Sequence, residues 1–415
     1  MENEFYVFSM MGKRSLMPDK KKELPQIKSA FIFTRMEFAG SLGDLGTLLP
    51  RAIAMIVLNG LNATNVMLAV GLFYIAAGLY FRVPVPVQPM KVIGAYAIAI
   101  GLTPTQIIAA SLWMSIVVLF LGTTGLIHVI ARYTPKSTIR GVQLGVGIIL
   151  MSKGLNFMIK PDPHLAMQTI GVVNTGIILG IVGLIVTFLL LDNRKIPAAV
   201  LVVLGGIVVG LFIGKPVKWE ELKIGFYLPR FFPYGLPSWS DIFWVLPVLV
   251  LPQIPMTIGN AILSNTDVMH EYFGEEAQRA SYRSIANSQG IANIFSFVLG
   301  GIPMCHGAGG LAAMYRFGAR TAAANVIIGV IFVTLAILFG QNALIILNLL
   351  PLSLLGVLLV FAGAQLALMV NDLTQRKDLF VALIMLAITL TVNLAAAFLC
   401  GIVIAYVLKS DRVDV

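Results

Sequence analysis

The sequence has few charged residues for its length. Only 12% of its 415 residues are Asp, Glu, Lys or Arg, about half the share of a soluble domain. Such a chain cannot cover a water-facing surface of its size, which excludes an ordinary cytosolic enzyme and a disordered protein. The hydrophobic share of 58% instead favours a polytopic membrane protein, with room for roughly 12 to 15 spans. Long apolar runs without period-2 alternation disfavour an outer-membrane β-barrel.

Cysteine is also scarce, since Cys305 and Cys400 are the only two. A disulfide framework or a zinc cluster is therefore not expected. Cys305 stands beside His306, but two adjacent residues do not make a metal site, and neither a metal nor another cofactor is expected. The net charge of +10 accompanies no nucleic-acid-binding motif, so it is interpreted as membrane topology.

The apolar runs predict an all-α polytopic membrane protein with about 14 transmembrane segments. The expected spans are 31–58, 66–81, 86–101, 104–129, 138–158, 169–191, 197–214, 241–267, 281–299, 304–317, 321–340, 343–370, 378–392 and 394–409. The last two are short and are also compatible with one bent span.

Basic residues follow every even-numbered span, which predicts that both termini are cytoplasmic. These residues are Arg82, Arg132, Lys136, Arg140, Arg194, Lys195, Arg279, Arg283, Arg316, Arg320, Arg376, Lys377, Lys409 and Arg412. The 215–230 loop is an exception, being basic on the predicted outside. Residues 1–28 are basic without an apolar signal region, so we expect a cytoplasmic tail. The cell membrane is the expected location.

Weak internal matches relate the two halves of the chain. The segment from Glu37 to Asp44 matches 253–260 at an offset of 216, 86–89 matches 303–306 at 217, and 143–146 matches 354–357 at 211. Chance similarity between glycine-rich helices is the alternative. Seven spans per half require an inverted repeat, which is typical of secondary transporters. The expected divisions are 29–214, an extracytoplasmic connection at 215–240, and 241–410.

Spans three and ten are broken by proline. The run 83–89 carries Pro84, Pro86 and Pro89, which excludes a regular helix. It predicts a short strand followed by a half-helix, with Gln88 as N-cap and Pro89 at the first helical position. Residues 300–303 predict a second extended stretch, with a helix starting near His306.

The two half-helices are predicted to enter from opposite sides, so their N-termini face each other. Free N–H groups and the helix dipoles would attract an anion there, and the glycines of 307–310 would let it approach the backbone. Lys91 falls in the first turn of its half-helix, where a cation opposes the dipole unless an anion is bound. The alternative is that Lys91 snorkels or pairs with an acid.

Spans one and eight carry polar stripes at helical spacing. Such stripes face the bundle interior or a water-filled path, or join helices by hydrogen bonds. A site is favoured for the inner members, which are Glu37, Ser41, Asp44, Gln253, Thr257 and Asn260. Helix contacts or interface exposure are expected for Arg51, Asp267 and Glu271. Glu37 or Asp44 is the candidate proton carrier, and Asp44 could instead pair with Lys91.

Three segments, 38–50, 86–91 and 303–310 with 315–318, resemble the signatures of the molybdate-transporter family, which is related to the sulfate-permease superfamily. The resemblance implies a 7+7 inverted repeat with a core domain (29–131 and 241–340) and a gate domain (132–214 and 341–410). It also implies that the substrate lies between the half-helix N-termini and moves with the core like an elevator. The C-terminal regulatory domain usual in sulfate permeases is expected to be absent.

The expected function is secondary active, proton-coupled transport of a tetrahedral oxyanion, with molybdate preferred and sulfate next. A nucleobase-type carrier or an anion channel of the same fold is the alternative, and no enzyme constellation is present. The expected partners are the oxyanion, a coupling proton and the lipid bilayer; a homodimer is left open and no nucleic acid is expected. The residues assigned to the substrate are Ser41, Gln88, Pro89, Met90, Lys91, Gln253, Thr257, Asn260, Cys305, His306, Gly307, Ala308, Gly309 and Gly310.

Overall fold

The computed structural model describes residues 30–127, 129, 133–170, 173–191, 193, 197–217 and 219–409. The basic tail 1–28 and several residues used for the topology prediction, namely Arg132, Arg194, Lys195 and Arg412, lie outside these ranges.

The described chain is built almost entirely from helices. In the first half they are α1 (Arg35–Ser41), α2 (Leu45–Asn59), α3 (Ala63–Phe81), α4 (Lys91–Ile100), α5 (Pro104–Thr124), α6 (Lys136–Ile159), α7 (Thr175–Leu190) and α8 (Ala198–Ile213). In the second half they are α9 (Trp239–Ala277), α10 (Tyr282–Leu299), α11 (Ala308–Phe317), α12 (Ala323–Phe339), α13 (Ala343–Leu347), α14 (Leu352–Ala367), α15 (Arg376–Thr391) and α16 (Leu394–Leu408). The short strands are β1 (Gln88–Pro89), β2 (Thr169–Ile170), β3 (Val173–Asn174) and β4 (Met304–Cys305).

Several helices have the length and apolarity of membrane spans. Within the described ranges six helices meet both criteria, and the pair α1 and α2, bent by 43°, makes a seventh if it is counted as one span. Four further apolar helices, α4, α7, α8 and α16, are shorter. The chain is therefore a helical, multi-pass membrane protein, while the count of fourteen spans stays a prediction.

The two proline-broken stretches are extended, as the sequence predicts. Strands β1 and β4 pair antiparallel, with Gln88 opposite Cys305 and Pro89 opposite Met304. Helix α11 begins directly after Gly307, as expected. In the first stretch, however, the N-cap is Met90 and the helix begins at Lys91. The prediction that Gln88 is the N-cap and Pro89 the first helical residue is wrong, because pairing with β4 keeps both residues in the strand.

A buried asparagine supplies the hydrogen bonds that each extended stretch lacks. Asn325 of α12 accepts from the Val85 N–H at 2.9 Å and donates to the Val85 carbonyl at 2.7 Å. Asn293 of α10 accepts from the Met304 N–H at 3.0 Å and donates to its carbonyl at 2.8 Å. Non-helical backbone in a membrane protein needs such internal partners, so these amides allow the helix breaks.

Glycines bring the helices into close contact. A Cβ on Gly71 of α3 would lie 2.8 Å from the Gly329 carbonyl oxygen of α12, and one on Gly154 of α6 would lie 2.4 Å from that of Gly356 in α14. Gly141 and Gly145 of α6 give the same close approach, since Gly141 faces Met385 of α15 and Gly145 faces Thr389. Helices α3 and α12 pack together, α5 packs on α10, and α6 packs on α14 and α15.

Candidate functional site

The N-terminus of α11 is open on one side and closed on the other. Gly307 is its N-cap, and the Gly310 N–H bonds back to the Gly307 carbonyl at 2.9 Å. The N–H groups of Ala308 and Gly309 precede this bond and have no intrahelical acceptor. Gly309 is exposed, and no atom lies within 4 Å of the position that its Cβ would take. An anion can therefore approach these amides from the Gly309 side.

The closed side of this helix start is formed by Gln88 and Asp44. A Cβ on Gly307 would lie 2.5 Å from Gln88 Oε1, and one on Gly310 would lie 2.0 Å from Gln88 Nε2 and 2.3 Å from Asp44 Oδ1. A side chain at either position would displace the Gln88 amide, and at Gly310 also the Asp44 carboxylate. Gln88, predicted to bind substrate, thus lines the helix start while its own amide bonds to Asp44.

The N-terminus of α4 is not open in the same way. Gln253 Oε1 of α9 accepts from the Val92 N–H at 2.9 Å and from the Ile93 N–H at 3.3 Å. Gln253 Nε2 donates to Thr257 Oγ1 at 2.9 Å. Both side chains were assigned to the substrate, but in this structure Gln253 caps the half-helix and Thr257 accepts a hydrogen bond from Gln253. The expectation that both half-helices offer free amides is therefore wrong at these positions of α4.

Asp44 is the acceptor at the centre of a buried hydrogen-bond network. Its carboxylate accepts from Tyr74 Oη at 2.5 Å, Val87 N at 3.0 Å, Gln88 Nε2 at 2.5 Å and Thr47 Oγ1 at 2.7 Å. Within the described ranges, the ion pairs shorter than 4.0 Å all involve Asp372, with Lys136 and Arg140. The predicted alternative, a direct ion pair between Asp44 and Lys91, is therefore not observed.

Two cations lie at the start of α4. Lys91 is its first residue and is half-buried. Arg51 of α2 is only 2% exposed, and its Nη1 donates to the Pro89 carbonyl at 3.4 Å. Of the two expectations for Arg51, helix contact is observed and interface exposure is not, because α2 packs against α4 and carries the side chain inward. Asp267 and Glu271, in contrast, are exposed as expected.

The hydrogen bonds of Glu37 and Ser41 go to groups other than the N-termini of the two half-helices. Glu37 Oε1 accepts from the N–H groups of Arg320 and Thr321, both at 2.9 Å. These two residues follow the C-terminal end of α11. Because a ten-residue helix is about 15 Å long, that end is remote from the α11 N-terminus. Ser41 Oγ donates to the Phe38 carbonyl of its own helix at 2.7 Å.

Both nitrogens of the His306 ring face hydrogen-bond partners other than the N-terminus of α11. It is fully buried, with Nδ1 2.8 Å from the Pro86 carbonyl oxygen and Nε2 3.1 Å from Ser288 Oγ. Its ring centroid lies 4.8 Å from that of Phe73. The side chain therefore joins the two extended stretches, and its assignment as a substrate ligand is not supported. Pro89, Met90 and Cys305 are buried in or beside the strand pair.

Asn260 lies beside Gly307 and lines a small crevice between α9 and α6. Its Nδ2 lies 3.5 Å from the position that a Gly307 Cβ would take. The crevice, of about 60 Å³, is lined by Ile139, Arg140, Pro255, Met256, Gly259, Asn260, Ser264 and Met369. Asn260 belongs to a π-helical segment, Thr257–Leu263, and such segments are frequent at functional sites. The sequence analysis did not predict the π-helical segment or the position of Arg140 at this crevice. The signal that could have indicated an irregular helix here is the pair Pro252 and Pro255.

Comparisons with known proteins fit this architecture. A family model described as the molybdate transporter of the MFS superfamily matches residues 36–150 and 246–366. Molybdate transporter 2 of Arabidopsis thaliana is 31% identical over 91% of this chain and 88% of its own length.

Solved structures share the fold. The transmembrane domain of the cyanobacterial bicarbonate transporter BicA superposes with a TM-score of 0.61 at 17% identity, over 90% of this chain and 98% of that one. SLC26A9 gives 0.62 at 14% identity, over 90% of this chain and 65% of its own length. The family model, the Arabidopsis relative and BicA are all described as transporters. The chain therefore belongs to the molybdate transporter family and is a multi-pass membrane transporter, not an enzyme.

Proposed function

We propose that this protein carries a tetrahedral oxyanion across the membrane, with molybdate preferred over sulfate. The observation that carries the proposal is the antiparallel pairing of β1 with β4, which joins the strand before α11, with its open first amides, to the strand before α4, with Lys91 at its start. Backbone N–H groups at a helix start and a cation nearby are what an oxyanion needs when it leaves water. The molybdate transporters among its relatives add support for this substrate.

The proposed architecture is a 7+7 inverted repeat with a core and a gate. Its support is the extended stretch followed by a half-helix, found once in each half. The packing of α6 with α14 pairs corresponding helices of the two halves, and the contact of α3 with α12 has its counterpart in the contact of α10 with α5. Sliding of the core against the gate along the Asn260 crevice is the proposed elevator motion, with both termini in the cytoplasm.

Proton coupling is proposed to use Asp44 rather than Glu37. The Tyr74 hydroxyl lies 2.5 Å from Asp44 Oδ2 and 3.1 Å from the Val87 carbonyl oxygen. It can donate to the carboxylate, or accept from the protonated acid and donate to Val87 instead. Asp44 therefore keeps hydrogen bonds to Tyr74 in both protonation states, at the helix start where the anion binds.

The test is uptake of radiolabelled molybdate by proteoliposomes, with sulfate and uracil as competitors and a protonophore added in a separate arm. We expect competition by sulfate and none by uracil, and loss of accumulation when the proton gradient collapses. Competition by uracil alone would favour the nucleobase carrier, for which a neutral ligand has no need of Lys91. Uptake indifferent to the protonophore would remove proton coupling.

Lys91→Ala tests the charge at the site. We expect molybdate affinity to fall about 10- to 100-fold, the range of a hydrogen bond to a charged group, with little change in thermal stability. Lys160→Ala, at an exposed lysine after α6, is the matched control and should leave both unchanged. Equal affinities for Lys91→Ala and the parent protein would contradict the proposal.

A further inference from the structure

Arg51 is a buried cation whose donors are largely unused. A guanidinium has five N–H donors and no acceptor. Within the described ranges Arg51 makes a single long hydrogen bond, from Nη1 to the Pro89 carbonyl at 3.4 Å, and its Nε is buried without a partner. No carboxylate of the described ranges lies within ion-pairing distance of Arg51. Burying an arginine in this way is costly unless a negative group completes its surroundings.

The position of Arg51 identifies where that negative group belongs. The carbonyl that it reaches is two residues before Lys91, and its Cδ lies 3.8 Å from the position that a Gly94 Cβ would take. The side chain therefore runs along the first turn of α4. Lys91 is the first residue of that turn, so two cationic side chains share it. Asp44 supplies one negative charge against two positive ones, and its oxygens are already occupied by four other donors.

We propose that Arg51 is a second cationic ligand of the transported anion and determines its preference for dianions. This inference rests on the proposed function and adds the residue that selects charge. The planar guanidinium matches two oxygens of a tetrahedral oxyanion with parallel N–H bonds, which the point charge of a lysine does not. With Lys91, it gives the site two positive charges for the two negative charges of molybdate or sulfate.

The experiment compares two tetrahedral anions that differ in charge. Equilibrium binding of molybdate, a dianion, and perrhenate, a monoanion, is measured on the purified full-length protein for the parent chain and Arg51→Gln. We expect molybdate affinity to fall about 10- to 100-fold, as for loss of a charged hydrogen bond, and perrhenate affinity to fall much less. Arg376→Gln, which removes an exposed arginine at the start of α15, is the matched control and should change neither.

The outcomes separate this inference from the proposed function. A parent protein that binds neither anion refutes both. A parent protein that binds molybdate, with an unchanged affinity in Arg51→Gln, refutes only the role of Arg51. Equal losses for both anions would make Arg51 a structural residue and also overturn the inference.

Arg51→Lys provides a second variant in case the glutamine variant does not fold. It keeps the positive charge but loses the planar pair of N–H donors of the guanidinium. We therefore expect weaker binding of both anions, with the preference for molybdate retained. Loss of that preference in Arg51→Lys would contradict charge selection by this residue.

Discussion

Gly310 and Gly309 are adjacent residues at the start of α11 with opposite surroundings, and alanine at each gives a sharp test of the site. A methyl group on Gly310 would lie 2.0 Å from Gln88 Nε2, 2.3 Å from Asp44 Oδ1 and 2.8 Å from Pro86 Cβ. Ordinary contacts begin at about 3.4 Å, so the Gln88–Asp44 hydrogen bond of 2.5 Å must open. Loss of a buried hydrogen bond to a charged group costs about 1.5–3 kcal/mol, and overpacking adds about 1–3 kcal/mol.

The assay is thermal unfolding in detergent together with molybdate binding. We expect Gly310→Ala to lower the unfolding temperature clearly and to abolish most binding. Gly309→Ala meets no atom within 4 Å, so its stability should be unchanged or raised by about 0.5–1 kcal/mol through helix propensity. Its methyl group nevertheless narrows the open side of the helix start, so molybdate should bind less tightly. Gly310→Ala with the stability of the parent protein would refute the geometry on which the site depends.

Two further substitutions test the elements that hold the half-helices. Asn325→Leu should destabilise the protein by about 2–5 kcal/mol, because the Val85 N–H and carbonyl would both lose their buried partner; thermal unfolding measures this, and a change below 1 kcal/mol would contradict the assigned role. Gln253→Leu should cost about 1–2 kcal/mol by uncapping Val92 and Ile93, yet leave molybdate affinity within about threefold. A loss of affinity beyond tenfold would return Gln253 to the substrate ligands.

The backbone conformation of the site was predictable from the sequence. The hydrogen-bond partners of its N–H groups and cationic side chains were not. The prolines at 84, 86 and 89 exclude a helix by covalent geometry, so the extended stretch follows from the sequence alone. The capping of α4 by Gln253 joins residues 161 positions apart, and no local pattern encodes such a contact. Helical periodicity likewise places Arg51 on a polar face without fixing its depth, because burial depends on which helices pack there.

The two half-helices make unequal contributions to the proposed site. The start of α4 is closed by Gln253 and supplies positive side chains, Lys91 together with Arg51 from α2. The start of α11 has no cation in its first turn and offers glycine backbone instead. An oxyanion there would have its charge neutralised by side chains of the first half and its oxygens bonded by amides of the second. Because β1 and β4 are hydrogen-bonded to each other and Arg51 is bonded to Pro89 of β1, the two contributions would stay together in the proposed elevator motion. A carrier needs that property, since the anion has to travel with its ligands intact.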